Sequence, residues 1–183
     1  MLQHRNFPAL PILYVCWKAG SLLMNDSELP PTGRRMLEGA NLLVVDDDGG
    51  VGLALARMLN LEGAVVVVAE NGEDAIDILE RDKAELLDVV VTDLEMPVVS
   101  GQELIAALQE RRPGLPIVAM TAYNPPATFP AAVPLFYKPF SPHELVLTLV
   151  PLVRGSQERR RQLRQRREDA AVGEWELRIV HQQ

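Results

Sequence analysis

The 183-residue chain predicts an α/β fold: a doubly wound, five-stranded parallel sheet flanked by helices, with an atypical loop in place of one helix. Three observations carry that reading. The strongest apolar runs are Val-rich and only four to six residues long, too short for helices and suited to buried parallel strands. Segments of helical periodicity separate them, and such alternation implies right-handed crossovers. Finally, the runs end in acids, a hydroxyl or an amine. In an open parallel sheet those carboxyl ends share one edge, where ligands bind.

Residues 41–46 form the first expected strand. A helix over 50–61 follows, with Val51, Leu55, Met58 and Leu59 along one face and Asp48 as N-cap. Residues 64–69 (AVVVVA) give the second strand. Asn71-Gly72-Glu73-Asp74 opens a second helix that turns Ala75, Ile76 and Leu79 inward. Residues 88–93 form the third strand, and Ser100 caps a helix whose apolar face holds Leu104, Ile105 and Leu108. The fourth strand covers 115–120. The alternation then breaks, because 124–134 (NPPATFPAAVP) contains four prolines. Each would cost about 3 kcal/mol inside a helix. A short fifth strand is expected near 134–137. Ser141-Pro142-His143-Glu144 has the capping-box order of a helix start. This last helix should bury Leu145, Leu149 and Leu152, and kink or end at Pro151.

These elements divide the chain into an N-terminal arm over 1–39, expected to be flexible, a domain over 40–153, and an Arg-rich tail over 154–183, helical or disordered. Residues 156–169 are polar nearly all round, with Leu163 alone apolar, and read as a solvated or partner-stabilised helix, or as disorder. Residues 40–150 carry six Lys/Arg against seventeen Asp/Glu, a net of −11, while 151–183 carry +3. An acidic body argues against nucleic-acid binding by the main domain. No run reaches the ~20 apolar residues that span a bilayer. The nearest, 7–23, is interrupted by Pro8, Pro11 and Lys18. His4, Arg5 and Ala19-Gly20-Ser21 mimic an export signal weakly; a loose arm, or a natural start at Met24 or Met36, explains the same residues. Cys16 is the single cysteine, which fits a reducing, cytoplasmic setting.

Asp46-Asp47-Asp48, Asp93, Thr121 and Lys138 stand at the strand ends. Crowded carboxylates disfavour one another's ionised form unless a cation offsets them. Mg2+ binds through one or two carboxylates, waters and phosphate oxygens, so the acids suggest a phosphate-handling Mg2+ site. Lys138 supplies a compact cation for a phosphoryl oxygen, Thr121 a hydroxyl donor, and one Asp a nucleophile able to form an aspartyl-phosphate. The plainer readings are an Asp-rich turn with a cap, a surface lysine and a strand-end threonine. His143 reads as a surface residue and Met96 as packing.

Taken together, LLVVDDD (42–48), VVVTDLEMPVVSG (89–101), IVAMTAY (117–123) and YKPF (137–140) resemble the receiver domain of two-component response regulators, over about residues 40–153. The resemblance implies a flavodoxin-like five-stranded sheet and phosphotransfer to Asp93 from a kinase phosphohistidine. It implies metal ligation by Asp46, Asp47, Asp93 and the main-chain carbonyl of Glu95, with Asp47 the direct ligand and Asp46 acting largely through water. It makes Thr121 the switch hydroxyl, Lys138 the phosphate-pairing lysine, and Pro139 the turn residue, through a cis Lys138–Pro139 bond. Implied partners are a sensor histidine kinase or histidine phosphotransfer protein and a downstream protein target; a homodimer is allowed.

Two departures stand out. The family's fourth helix has no counterpart between Thr121 and Lys138, and Leu135 stands where an aromatic switch residue is usual. The usual output face is therefore in doubt. About thirty residues follow the last domain helix, too few for a helix-turn-helix module with its own core, so a stand-alone receiver or a piece of a larger relay is expected. A docking module indifferent to phosphorylation is the alternative. A haloacid-dehalogenase-type phosphatase would want an Asp where Glu95 stands.

Overall fold

A computed structural model describes residues 35–81, 86–125 and 127–180. The sheet contains β1 (Asn41–Val45), β2 (Val65–Ala69), β3 (Val89–Asp93), β4 (Ile117–Thr121) and β5 (Leu135–Tyr137), in the order β2-β1-β3-β4-β5 and parallel throughout. The helices are α1 (Gly49–Leu61), α2 (Gly72–Arg81), α3 (Gly101–Arg111) and α4 (Pro142–Val180).

Alternate strand residues supply the two faces. Leu42, Val44, Val89, Val91, Val118 and Met120 pack with Leu55, Ala56 and Leu59 of α1 and with Leu145, Val146, Leu149 and Val153 of α4. Leu43, Val45, Val90, Ile117 and Ala119 pack with Ala75 and Leu79 of α2 and with Leu104, Ile105 and Leu108 of α3. Helices thus cover both faces, which is why the central strands read as unbroken apolar runs. Asp48 caps α1 through its side chain, accepting from the Gly50 and Val51 amides. Ser100 caps α3 in a complete capping box with Glu103. The expected cap residues therefore stand at both helix starts.

No helix forms between β4 and β5 among the described residues. Val133 is buried and Phe129 half-buried in the α2/α3 face, so the proline-rich segment covers with two side chains what a helix would otherwise cover.

Several expectations need correction. Pro151 does not end the last helix, which continues to Val180. Pro151 itself is exposed, and buried Leu149 and Val153 flank it, so packing overrides the lost hydrogen bond. Leu152 is only half-buried; Val146 and Val153 fill the positions expected of it. The Arg-rich stretch is not a wholly solvated face. Arg159 donates to the Gly114 carbonyl at 2.8 Å, and Arg160 meets buried Asp88 at 2.6 Å. The packed unit also begins before residue 40: Leu37 is buried, and its amide donates to the Glu62 carbonyl at 2.9 Å. Residues 1–34, with Cys16, Met24 and the export-signal reading, lie outside the described residues, as do 181–183. No helix of the described residues is long and apolar enough to cross a membrane.

Candidate functional site

Parallel strands bring the expected residues to one edge. Asp46 and Asp47 leave the end of β1, Asp93 ends β3, Thr121 ends β4, and Lys138 follows β5. Asp46, Asp93 and Thr121 are buried, whereas Asp47 and Glu95 are exposed. One carboxylate oxygen each from Asp46, Asp47 and Asp93 lies within 4.8 Å of the other two.

Lys138 reaches into this group. Its Nζ donates to Asp46 Oδ2 at 2.8 Å and to Asp93 Oδ2 in a very short contact. Burial disfavours the Lys138 ammonium, but its bonds to Asp46 and Asp93 outweigh that and raise its pKa above the ordinary lysine value. Asp46 is dominated by burial, which raises its carboxyl above the usual range against the opposing pull of Lys138 and the Asp48 amide. That amide donates to Asp46 Oδ1 at 3.0 Å and fixes the acid's orientation. The peptide bond between Lys138 and Pro139 is cis, as the turn reading expected.

Asp93 is held from its other side. The Glu95 amide donates to Asp93 Oδ1 at 3.1 Å. Gly101 lies so close beneath that a Cβ there would stand 1.9 Å from the Asp93 carbonyl oxygen. Only glycine allows α3 to start against the strand end. The intervening loop carries Val98 at φ 69°, a left-handed conformation that β-branched residues rarely adopt.

Thr121 lies at the same edge, with its hydroxyl directed to a neighbour other than Asp93. It donates to the Glu95 carboxylate, at 2.8 and 3.0 Å from its two oxygens, and accepts from the Tyr123 amide at 3.0 Å. Neither the Glu95 side-chain contact nor the Tyr123 amide is visible in sequence, because both depend on how the two loops fold back over the edge.

The donor set fits a hard dication. All three clustered side chains are carboxylates, and no sulfur or imidazole intrudes among the described residues of the cluster. Among the described residues Lys138 is the cation bonded to these acids, through Asp46 and Asp93 and not through exposed Asp47. The arrangement can concentrate positive charge against a nucleophilic carboxylate and the oxygens of an incoming phosphoryl group.

Comparison with known proteins identifies the family. The family model described as the response regulator receiver domain matches residues 42–149. The transcriptional regulatory protein GlrR of Escherichia coli is 40% identical over 85 residues, covering 46% of this chain and 18% of that protein. The response regulator MprA of Mycolicibacterium vanbaalenii is 33% identical over 118 residues, covering 62% of this chain and 50% of that one. The chain thus spans half or less of the length of these two curated relatives. Among solved structures, the response regulator protein TrrA of Thermotoga maritima, in complex with Mg2+ and BeF, is similar at a TM-score of 0.56 and 30% identity. That match covers 62% of this chain and 98% of that one. With the matching model extending over more than half of its length, the chain belongs to the response regulator receiver domain family.

Proposed function

We propose that this receiver accepts a phosphoryl group on Asp93 from the phosphohistidine of a sensor kinase or histidine phosphotransfer protein, and passes the signal on through contacts with another protein. One observation carries the proposal: Asp46, Asp47, Asp93 and Lys138, drawn from three strand ends, converge on a single pocket edge. A carboxylate oxygen of Asp93 attacks phosphorus, the phosphorus–nitrogen bond breaks, and the histidine nitrogen keeps the electron pair. Lys138 then pairs with a phosphoryl oxygen in place of one of its present carboxylate partners. Asp46, Asp47, Asp93 and the Glu95 carbonyl would hold Mg2+, which when bound supplies the charge neutralisation that lets an anionic nucleophile approach an anionic donor. The family is one of signalling modules, and the likeness of this chain to a receiver with bound Mg2+ and BeF supports the metal requirement.

Incubation with acetyl phosphate and Mg2+, followed by intact-mass measurement, tests the proposal. A gain of one phosphoryl group is expected, absent with EDTA and absent in Asp93→Asn. Labelling that survives in Asp93→Asn, or no labelling of the folded protein, rejects it.

A further inference from the structure

Thr121 has one proton and two lone pairs to offer, and the proton and one lone pair are engaged before any phosphoryl group arrives. The Tyr123 amide occupies one lone pair, at 3.0 Å. The proton faces the Glu95 carboxylate, with the Tyr123 carbonyl a neutral competitor at 2.9 Å. A hydroxyl bonded to a carboxylate is held about twice as strongly as one bonded to a neutral carbonyl. Glu95 itself is tied to the acceptor by its backbone, through the amide that donates to Asp93 Oδ1. Its negative side chain therefore sits beside the acceptor and engages the hydroxyl at the end of the neighbouring strand.

We propose that Glu95 is a positioning residue acting through Thr121: a built-in competitor that holds the Thr121 hydroxyl and the Tyr123 turn in the unphosphorylated arrangement. This rests on the phosphoacceptor reading, because the competitor is displaced only if a phosphoryl group forms at Asp93. A phosphoryl oxygen can take the hydroxyl only after the Glu95 bond is surrendered. Glu95 thus sets how readily the modified state forms and how far the segment after β4 follows it. The location of Glu95 in an exposed loop leaves its side chain free to swing outward when displaced.

A double-substitution cycle on Mg2+-dependent beryllofluoride binding, followed by calorimetry, tests this. In the wild-type background Glu95→Ala should tighten binding about fivefold, the loss of one partly exposed charge-assisted bond. In a Thr121→Val background the same change should give less than about a twofold gain, because no hydroxyl remains to release. A Thr121→Ser background should restore the gain. An equal gain in all three backgrounds would assign the effect to simple charge repulsion and overturn the proposal, as would no gain in any. If wild type binds no beryllofluoride with Mg2+, the phosphoacceptor reading fails and this proposal with it; if wild type binds and Glu95→Ala binds equally, only the competitor role fails. Because Thr121 is fully buried, a second measurement leaves it intact. The Tyr123 amide signal of Glu95→Ala without beryllofluoride should move from its wild-type position; an unmoved signal rejects the contact.

Discussion

Replacing Lys138 with Met removes the ammonium that contacts both Asp46 and Asp93 while keeping most of the side chain's volume. Asp46 is 1% exposed, so its charge would be left in the protein interior. Removing one partner of a buried ion pair costs about 3–5 kcal/mol when the survivor stays charged. The survivor has an escape, which is to bind a proton. From a reference value of 3.8, protonation at pH 7 costs about 4 kcal/mol, at 1.36 kcal/mol per pH unit. Burial already raises Asp46 above that reference, so the limit lies below this figure. A loss of about 2–4 kcal/mol at pH 7 is expected. The sign follows from linkage. An acid whose folded pKa is raised contributes stability below its unfolded pKa, and loses it as pH rises through the folded value. Deleting Lys138 raises that value further, so the penalty must shrink on acidification, to less than about 2 kcal/mol at pH 5. Urea unfolding of both proteins at the two pH values, in EDTA and in Mg2+, measures this. Mg2+ should stabilise the variant more than wild type, since a dication replaces the missing positive charge. An equal loss at both pH values, or Mg2+ without effect on either protein, would refute the electrostatic account.

Three further predictions concern the scaffold. Gly101→Ala should lower stability by more than about 2 kcal/mol and reduce Mg2+-dependent labelling by acetyl phosphate, since the new methyl collides with the Asp93 carbonyl; unchanged labelling would count against the placement of Asp93. Val98→Gly should raise the unfolding free energy by about 1 kcal/mol by relieving the left-handed conformation, and a destabilised variant would contradict that strain. Arg160→Met should cost about 2–4 kcal/mol by removing the cation beside buried Asp88, whose carboxylate keeps the Asn41 amide at 2.9 Å, and much less in an Asp88→Asn background; equal losses in the two backgrounds would dismiss the pair.

Much of this was legible in the residues because parallel strands make one edge of the sheet a sequence pattern. Central runs such as Leu42–Val45 and Val89–Asp93 are buried on both faces, so they read as apolar without alternation, and the residue at their end emerges at the shared edge. Asp46, Asp93, Thr121 and Lys138 were found this way. Asp48 and Ser100 were readable because capping is local chemistry. What escaped was non-local. Intrinsic propensity alone argues against Pro151 inside a helix, but the apolar face of α4 continues through it and onto the sheet. Asp88 stands at the opposite end of β3, and its amide donates to the Asn41 carbonyl at 2.7 Å while its carboxylate meets Arg160. Burial raises the Asp88 carboxyl against the opposing pull of the Asn41 amide and Arg160. No spacing rule links an acid before one strand to an arginine late in a charged helix. The bond between Glu95 and Thr121 escaped for the same reason.

Reduction with borohydride after acetyl phosphate treatment reports on the central claim most directly, because it converts an aspartyl phosphate to homoserine and leaves other residues as they were. Peptide mass mapping should find homoserine at position 93, only when Mg2+ was present, and in none of the peptides holding Asp46 or Asp47. Homoserine at another position, or conversion independent of Mg2+, would contradict the assignment of these acids to one metal-assisted acceptor site.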